Sequence, residues 1–231
     1  MSAEQVVVFL DWQNVYMRAR ESFHPTAAPN VDGQVDPLDL ALTLTERGAP
    51  GTTRELKEVR IYRGLPDQHF DPKAYAAYRR QVAKWSLNNR VKVFGRTLRY
   101  PEGWMPGWGG EAPREKGVDV ALAVDVVTCG LDHHYDTGIV MSSDQDLTPA
   151  LEYIERKRGA LTARLEVAAW KGDQGRRPNR ITVGGGKPYC HWLSQQDYWG
   201  LQDTTDFNIN PSAPTVGTNT RPVPRPPGPR L

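Results

Sequence analysis

The stretch Val6-Val7-Val8-Phe9-Leu10 is apolar at every position, and Asp11 follows it directly. A strand with one face in water alternates apolar and polar residues, so a run without alternation has to be covered on both faces. That is the position of a central strand in a parallel sheet, and the rest of the chain has the pattern such a sheet needs. Further strands are predicted over 56–63, 91–98, 136–142 and 165–170. Helices are predicted over 14–22, 37–47, 72–87, 117–130 and from 148 to 159. Asp36-Pro37 and Asp71-Pro72 each supply a cap followed by a first-turn proline, and Thr148-Pro149 starts the fifth helix. Residues 99–115 are rich in Gly, Pro and Trp and read as a loop. A short strand or two and a closing helix are expected over 180–203. Strands that alternate with helices give an α/β fold with a mostly parallel sheet between helical layers.

Three segments then bring carboxylates to one edge of that sheet. Asp11 ends the first strand, Asp144 and Asp146 follow the strand over 136–142, and Asp119 lies in the first turn of the helix over 117–130. Active sites of parallel sheets lie beyond the carboxyl ends of their strands. Asp119 shares a helical face with Leu122, Ala123 and Val126, which turns it inward. Any one of these acids could be a turn former or a helix cap. Thr148-Pro149 already caps the following helix, so Asp144 and Asp146 look surplus to capping. Converging carboxylates repel unless a proton or a cation offsets them, which points to a hard-metal site and phosphodiester chemistry. Asn14 could bond a phosphate or cap its helix, and Lys116 could reach a phosphate or stay in solvent. Asp125 lies six residues beyond Asp119, about 9 Å along a helix. It is expected behind the site or as a structural acid.

The 231 residues suffice for one domain with a sizeable core. Net charge is +2, but Arg221, Arg225 and Arg230 lie beyond the last acid, Asp206. Subtracting these three from +2 leaves −1 for the rest, so nucleic-acid binding has to rest on local patches. The two cysteines, Cys129 and Cys190, form no metal or disulfide pattern and fit a reducing cytoplasm. Residues 6–10 are too short for a signal-peptide core, and no apolar stretch reaches membrane-spanning length. The five histidines, His24, His69, His133, His134 and His191, fall outside the acidic segments, which disfavours a histidine-based, metal-free hydrolase. His133-His134 reads as a solvated turn at the opposite edge. A phosphatase of the Asp-x-Asp haloacid-dehalogenase type would need an acid where Gln13 stands. A glycosyltransferase would leave Asp11 and Asp119 unexplained.

The stretches VVVFLDWQN at 6–14, KGVDVALAVDVV at 116–127 and YDTGIVMSSDQDLTPAL at 135–151 resemble the NYN family of PIN-like ribonucleases. The resemblance covers roughly residues 5–200. It implies a PIN-like three-layer α/β/α sandwich, a divalent metal (Mg²⁺ or Mn²⁺) and hydrolytic cleavage of RNA, here expected to be endonucleolytic. Asp11, Asp119 and Asp144 would be the core acids and metal ligands and Asp146 a further one, with Asn14 and Lys116 as supporting polar residues. Asp125 and Ser142 are expected behind them. The chain departs from the family pattern in two ways. Residues 24–54, with their own helix, look inserted, which could alter substrate access. No acid from the helix over 72–87 is available unless Asp67 or Asp71 reaches in. RNA has to be held near a cluster that repels phosphate, and Arg96, Arg99, Arg114, Arg176, Arg177 and Arg180 are the candidate cations. Trp104 and Trp108 could stack on unpaired bases or simply pack the loop. Residues 1–206 are expected as the nuclease domain and 207–231 as a disordered Pro-rich tail, with Arg221-Pro222-Val223-Pro224 offering at most a weak protein contact. The rival reading is a catalytically silent RNA-binding or adaptor protein on the same fold.

Overall fold

In the computed structural model, residues 3–24, 28–48, 51–107, 109–157, 163–172, 180–183 and 188–209 are described. Six strands form one sheet: β1 (Glu4–Asp11), β2 (Arg54–Leu65), β3 (Val91–Thr97), β4 (Thr137–Met141), β5 (Arg164–Trp170) and β6 (Cys190–Leu193). All neighbours are parallel, in the order β3-β2-β1-β4-β5-β6. The helices are α1 (Trp12–Phe23), α2 (Pro37–Glu46), α3 (Pro72–Trp85), α4 (Val118–Leu131), α5 (Thr148–Lys157) and α6 (Gln195–Leu201).

The two cores explain the unbroken apolar run. Val6, Val8 and Leu10 pack on one face with residues of α1, α2 and α6, among them Val15, Leu40 and Tyr198. Val7 and Phe9 pack on the other with α4 and α5, through Leu122, Val126, Leu151 and Ile154. Each position from Val6 to Leu10 is therefore buried, alternately into one layer and the other. Burying a side chain of this size contributes about 1.5–3 kcal/mol, so a charge at any of positions 6–10 would break a core. This is a three-layer α/β/α sandwich, with a sheet that is wholly parallel.

The chain runs outward from β1 to β2 and β3, then returns to add β4 on the other side of β1. The strand order thus reverses between β1 and β4. At such a switch point the loops leave in opposite directions and open a crevice at the carboxyl ends. Asp11 ends β1 at this place, and the segment Ser142–Asp146 leaves β4 beside it.

Some sequence expectations shift. α1 begins at Trp12, directly after Asp11, and α3 stops at Trp85 instead of 87. A single 3₁₀ turn, Gln145–Leu147, precedes α5. Both cysteines are buried free thiols. His134 is not a free solvated residue, since its ring meets Glu58 Oε1 at 3.0 Å. The tail was expected from 207, yet Phe207 is buried and its carbonyl accepts from Arg80 Nε at 2.8 Å. The domain therefore runs past the expected boundary, and the Pro-rich part from 210 lies outside the described residues. Among these, no helix is long and apolar enough to cross a membrane.

Candidate active site

Asp11 is 4 % exposed, and its carboxylate is fixed from three directions. It caps α1, with Oδ1 accepting from the Asn14 backbone N–H at 3.2 Å. Oδ2 accepts from Asn14 Nδ2 at 2.7 Å and from Ser142 Oγ at 2.8 Å. Ser142 Oγ in turn accepts from the Asp144 N–H at 3.0 Å. Ser143 Oγ donates to Asn14 Oδ1 at 2.6 Å and accepts from Arg18 Nε at 2.9 Å. One chain of hydrogen bonds therefore locks β1, α1 and the β4 exit together. The Asn14 amide is engaged at both its oxygen and its nitrogen. It braces Asp11.

Gly117 starts α4 in the left-handed conformation, at φ 73°, which only glycine adopts without strain. This turn puts Asp119 in the first turn of α4, half-buried and facing the crevice. Asp144 caps the 3₁₀ turn by accepting from the Asp146 N–H at 2.9 Å. The expectation that Asp144 is surplus to capping therefore fails, because a separate turn precedes α5. Asp146 is exposed.

A fifth acid, Glu115, was not singled out from the sequence. Its Oε1 accepts from the Gly64 N–H at 2.5 Å at the end of β2. With its amide nitrogen turned toward the acid, Gln13 donates to Oε1 and Oε2 at 3.2 and 3.0 Å. A Cβ at Gly64 would lie 2.3 Å from Leu98 Cδ2 and 2.9 Å from Glu115 Oε1, so a larger residue here would displace the carboxylate or the leucine tip. Asp67 and Asp71, the acids considered for this role, are spent as local caps on His69 and Ala74. The one hint in the sequence was position: Glu115 is the last residue of the loop over 99–115, beside Lys116-Gly117.

Electrostatics tie the acids into one group. Burial raises the Asp11 carboxyl above its ordinary value, and the charge of Asp119 adds to the rise. Burial raises Glu115 as well, with Asp11 and Asp119 adding to it. Asp119 is raised by burial, then by Asp144 and Asp146. Among the described residues, none of the five forms a salt bridge. All five offer oxygen, the donor that hard cations take. Among the described residues no three acidic or imidazole side chains already form a closed metal-ligand set.

Other expected residues fall into two groups. Lys116, Arg96 and Arg99 are exposed at the same edge, with Arg96 level with Gly64 in the sheet and Arg99 bridged to Arg114 through backbone. Trp104 packs edge-on against Tyr100 at 4.8 Å, and Tyr100 stacks on Phe70 at 4.7 Å. Asp125 faces away from the acids. It accepts from Arg60 at 2.7 Å and from the Tyr62 hydroxyl at 2.5 Å, so it is the structural acid of the two options. Trp108, Arg176 and Arg177 lie outside the described residues.

The NYN domain family model matches residues 5–169. No curated protein matches the chain. A solved structure from Vibrio parahaemolyticus RIMD 2210633, of a protein of unknown function, is 18 % identical. That alignment covers 72 % of this chain and 81 % of the other, at a TM-score of 0.43.

Proposed function

The chain belongs to the NYN domain family, a PIN-like nuclease family, and from that premise we propose that it is a metal-dependent ribonuclease that hydrolyses RNA phosphodiester bonds. One observation carries the reading: Glu115, Asp11, Asp119, Asp144 and Asp146 gather at the sheet's switch point, with the first three raised and, among the described residues, no basic side chain in salt-bridge contact with them. A fold keeps uncompensated like charges in a crevice when a ligand is to supply the opposite charge. Asp11, Asp119, Asp144 and Glu115 would hold Mg²⁺ or Mn²⁺. When bound, such an ion supplies Lewis-acid polarisation of the scissile phosphate and a more acidic water.

The chain's own residues do the rest. Asn14, Ser142 and Ser143 hold Asp11 in one orientation, so the carboxylate does not reorganise when charge changes beside it. Asp146 is exposed at the mouth of the crevice, where it orients the attacking water and takes its proton. Arg96, Arg99 and Lys116 are exposed on the same edge and bind flanking phosphates. Cleavage is proposed to be endonucleolytic, as the family resemblance suggests. The buried free thiols fit a reducing compartment such as the cytoplasm.

The test is cleavage of end-labelled single-stranded and hairpin RNA with Mg²⁺, with Mn²⁺ and with chelator. Cleavage should need the metal. It should fall by about 10²–10⁴-fold in Asp11→Asn and Asp144→Asn, with circular dichroism unchanged. Cleavage that survives both substitutions removes the site assignment. Metal-independent RNA binding without any cleavage would leave the silent adaptor instead.

A further inference from the structure

Beside the acid cluster, and sharing Glu115 with it, lies a pocket of about 410 Å³. That volume falls within the range of small-molecule sites, about 300–1,000 Å³. Its walls combine aromatic rings (Trp12, Tyr16 and Tyr78) with the side chains of Gln13, Gln34 and Arg63. Apart from Gln13, which holds Glu115, none of these groups serves the acid cluster.

Arg63 is the informative one. It ends in a layer of rings, with its guanidinium 4.8 Å from the Tyr78 ring centre and 5.5 Å from that of Trp85. Nη1 donates to Gln81 Oε1, and Gln81 Nε2 donates to Gln34 Oε1 at 3.0 Å, so two buried carboxamides hold the cation in place. Its Nε is buried without a partner, and among the described residues the guanidinium forms no salt bridge. Glu115, at the pocket's rim, acts on this cation through space without a salt bridge, and a buried donor without an acceptor costs about 1–3 kcal/mol. A fold that holds both rigidly beside a ring-lined space is prepared for a ligand with acceptors and an aromatic face.

We propose that this pocket receives one unpaired nucleotide of the RNA, adjacent to the phosphate that is cut, with its base against the aromatic wall and its acceptor edge toward Arg63. The proposal rests on the nuclease reading of the acids and adds where a neighbouring base goes. Arg63 offers donors only, so guanine and uracil, which present a carbonyl at that edge, bind tighter than adenine. A base can enter only when unstacked, so duplex RNA is excluded. Asn30 and Gln34 line the pocket and come from the span 24–54, so the segment that looked inserted builds one wall of it. Phe207 and Asn208 close another side.

The experiment fills the pocket from α3, where Ala77 lines it. A seven-nucleotide RNA carrying one 2-aminopurine riboside, walked through its positions, is titrated into the full chain carrying Asp144→Asn to prevent turnover. One position should show saturable quenching, and adding Ala77→Trp should raise Kd there at least tenfold, with Ala77→Leu intermediate. Should Ala77→Trp fail to fold, Ala77→Leu alone decides. Equal affinity in the filled variant, or quenching at no position, overturns the pocket. The two readings fail separately. If Asp144-intact Ala77→Trp cuts RNA with an unchanged KM, the pocket falls and the nuclease stands. If filling abolishes binding but the native protein cuts nothing, the pocket stands and the nuclease falls.

Discussion

The two edges of the sheet treat carboxylates in opposite ways. At the amino edge, Arg54 grips Glu166 with Nη1 and Nη2 at 3.0 and 2.7 Å and reaches Glu4 with Nε at 3.2 Å. Arg164 and the Thr137 hydroxyl also donate to Glu4, and His191 Nε2 meets Glu166 at 2.7 Å. Burial alone would raise Glu166, but the bonds from His191 and Arg54 overcome it and hold the carboxyl down at about 2. At the carboxyl edge the acids have, among the described residues, neutral hydrogen-bond donors or none, and burial with mutual repulsion raises Asp11, Glu115 and Asp119. The first edge is complete by itself and acts as a clamp across β1, β2 and β5. The second is incomplete by itself, which is the mark of a place where something binds.

The contrast breaks most visibly at Arg54, whose side chain is 3 % exposed. Arg54→Met should cost about 1–3 kcal/mol in urea denaturation, because it takes the shared cation from two part-buried carboxylates and leaves Glu4 to Arg164 and Glu166 to His191. A cost near zero would mean that the clamp is decoration. The pH dependence sharpens the same point. Glu166 is depressed in the fold, so its stabilisation is fully present above the ordinary glutamate range of about 4.3 and is lost as pH falls toward 2. Stability should fall between these limits in the native chain and fall less steeply in Arg54→Met.

The acid edge should respond with the opposite sign. Glu115 is raised, so its neutral form suits the fold, and the penalty appears as pH rises through its folded value. Glu115→Gln should therefore gain stability at pH 7, and the gain should fade as pH falls below the ordinary glutamate range. It should also weaken metal-dependent cleavage. A loss of stability at pH 7 would show that Glu115 serves the fold and not the site.

Which parts of this were legible in the sequence follows from what each depends on. The sheet was, because residues 6–10 admit no other covering than one layer on each face, and the Asp-Pro pairs mark two helix starts by local geometry alone. Asp11, Asp119 and Asp144 were, because each sits at a fixed offset from an element end. Glu115 was not, because its place depends on a loop folding back until its carboxylate meets the Gly64 N–H, 51 residues away in sequence. The partner of Arg63 was hidden for the same reason: Gln81 and Gln34 meet only after α3 and the span before α2 pack together. Asp144 misled because the 3₁₀ turn that it caps has no sequence signature apart from the helix that follows.

The finest comparison lies inside the acid edge, between a carboxylate that is braced and those that are not. Ser142 Oγ joins Asp11 to the Asp144 N–H and is buried. Ser142→Ala removes one hydrogen bond from each, at a cost of about 1 kcal/mol. Stability should therefore barely register the change. Metal dependence should register it more, since loss of a group that orients a ligand typically costs 10–100-fold in metal affinity or activity. The expected result is a rightward shift of the Mn²⁺ titration of cleavage with a near-native melting temperature. A large drop in melting temperature with an unshifted titration would assign Ser142 to the fold, and would make the Asp11 brace a structural joint between β1 and β4.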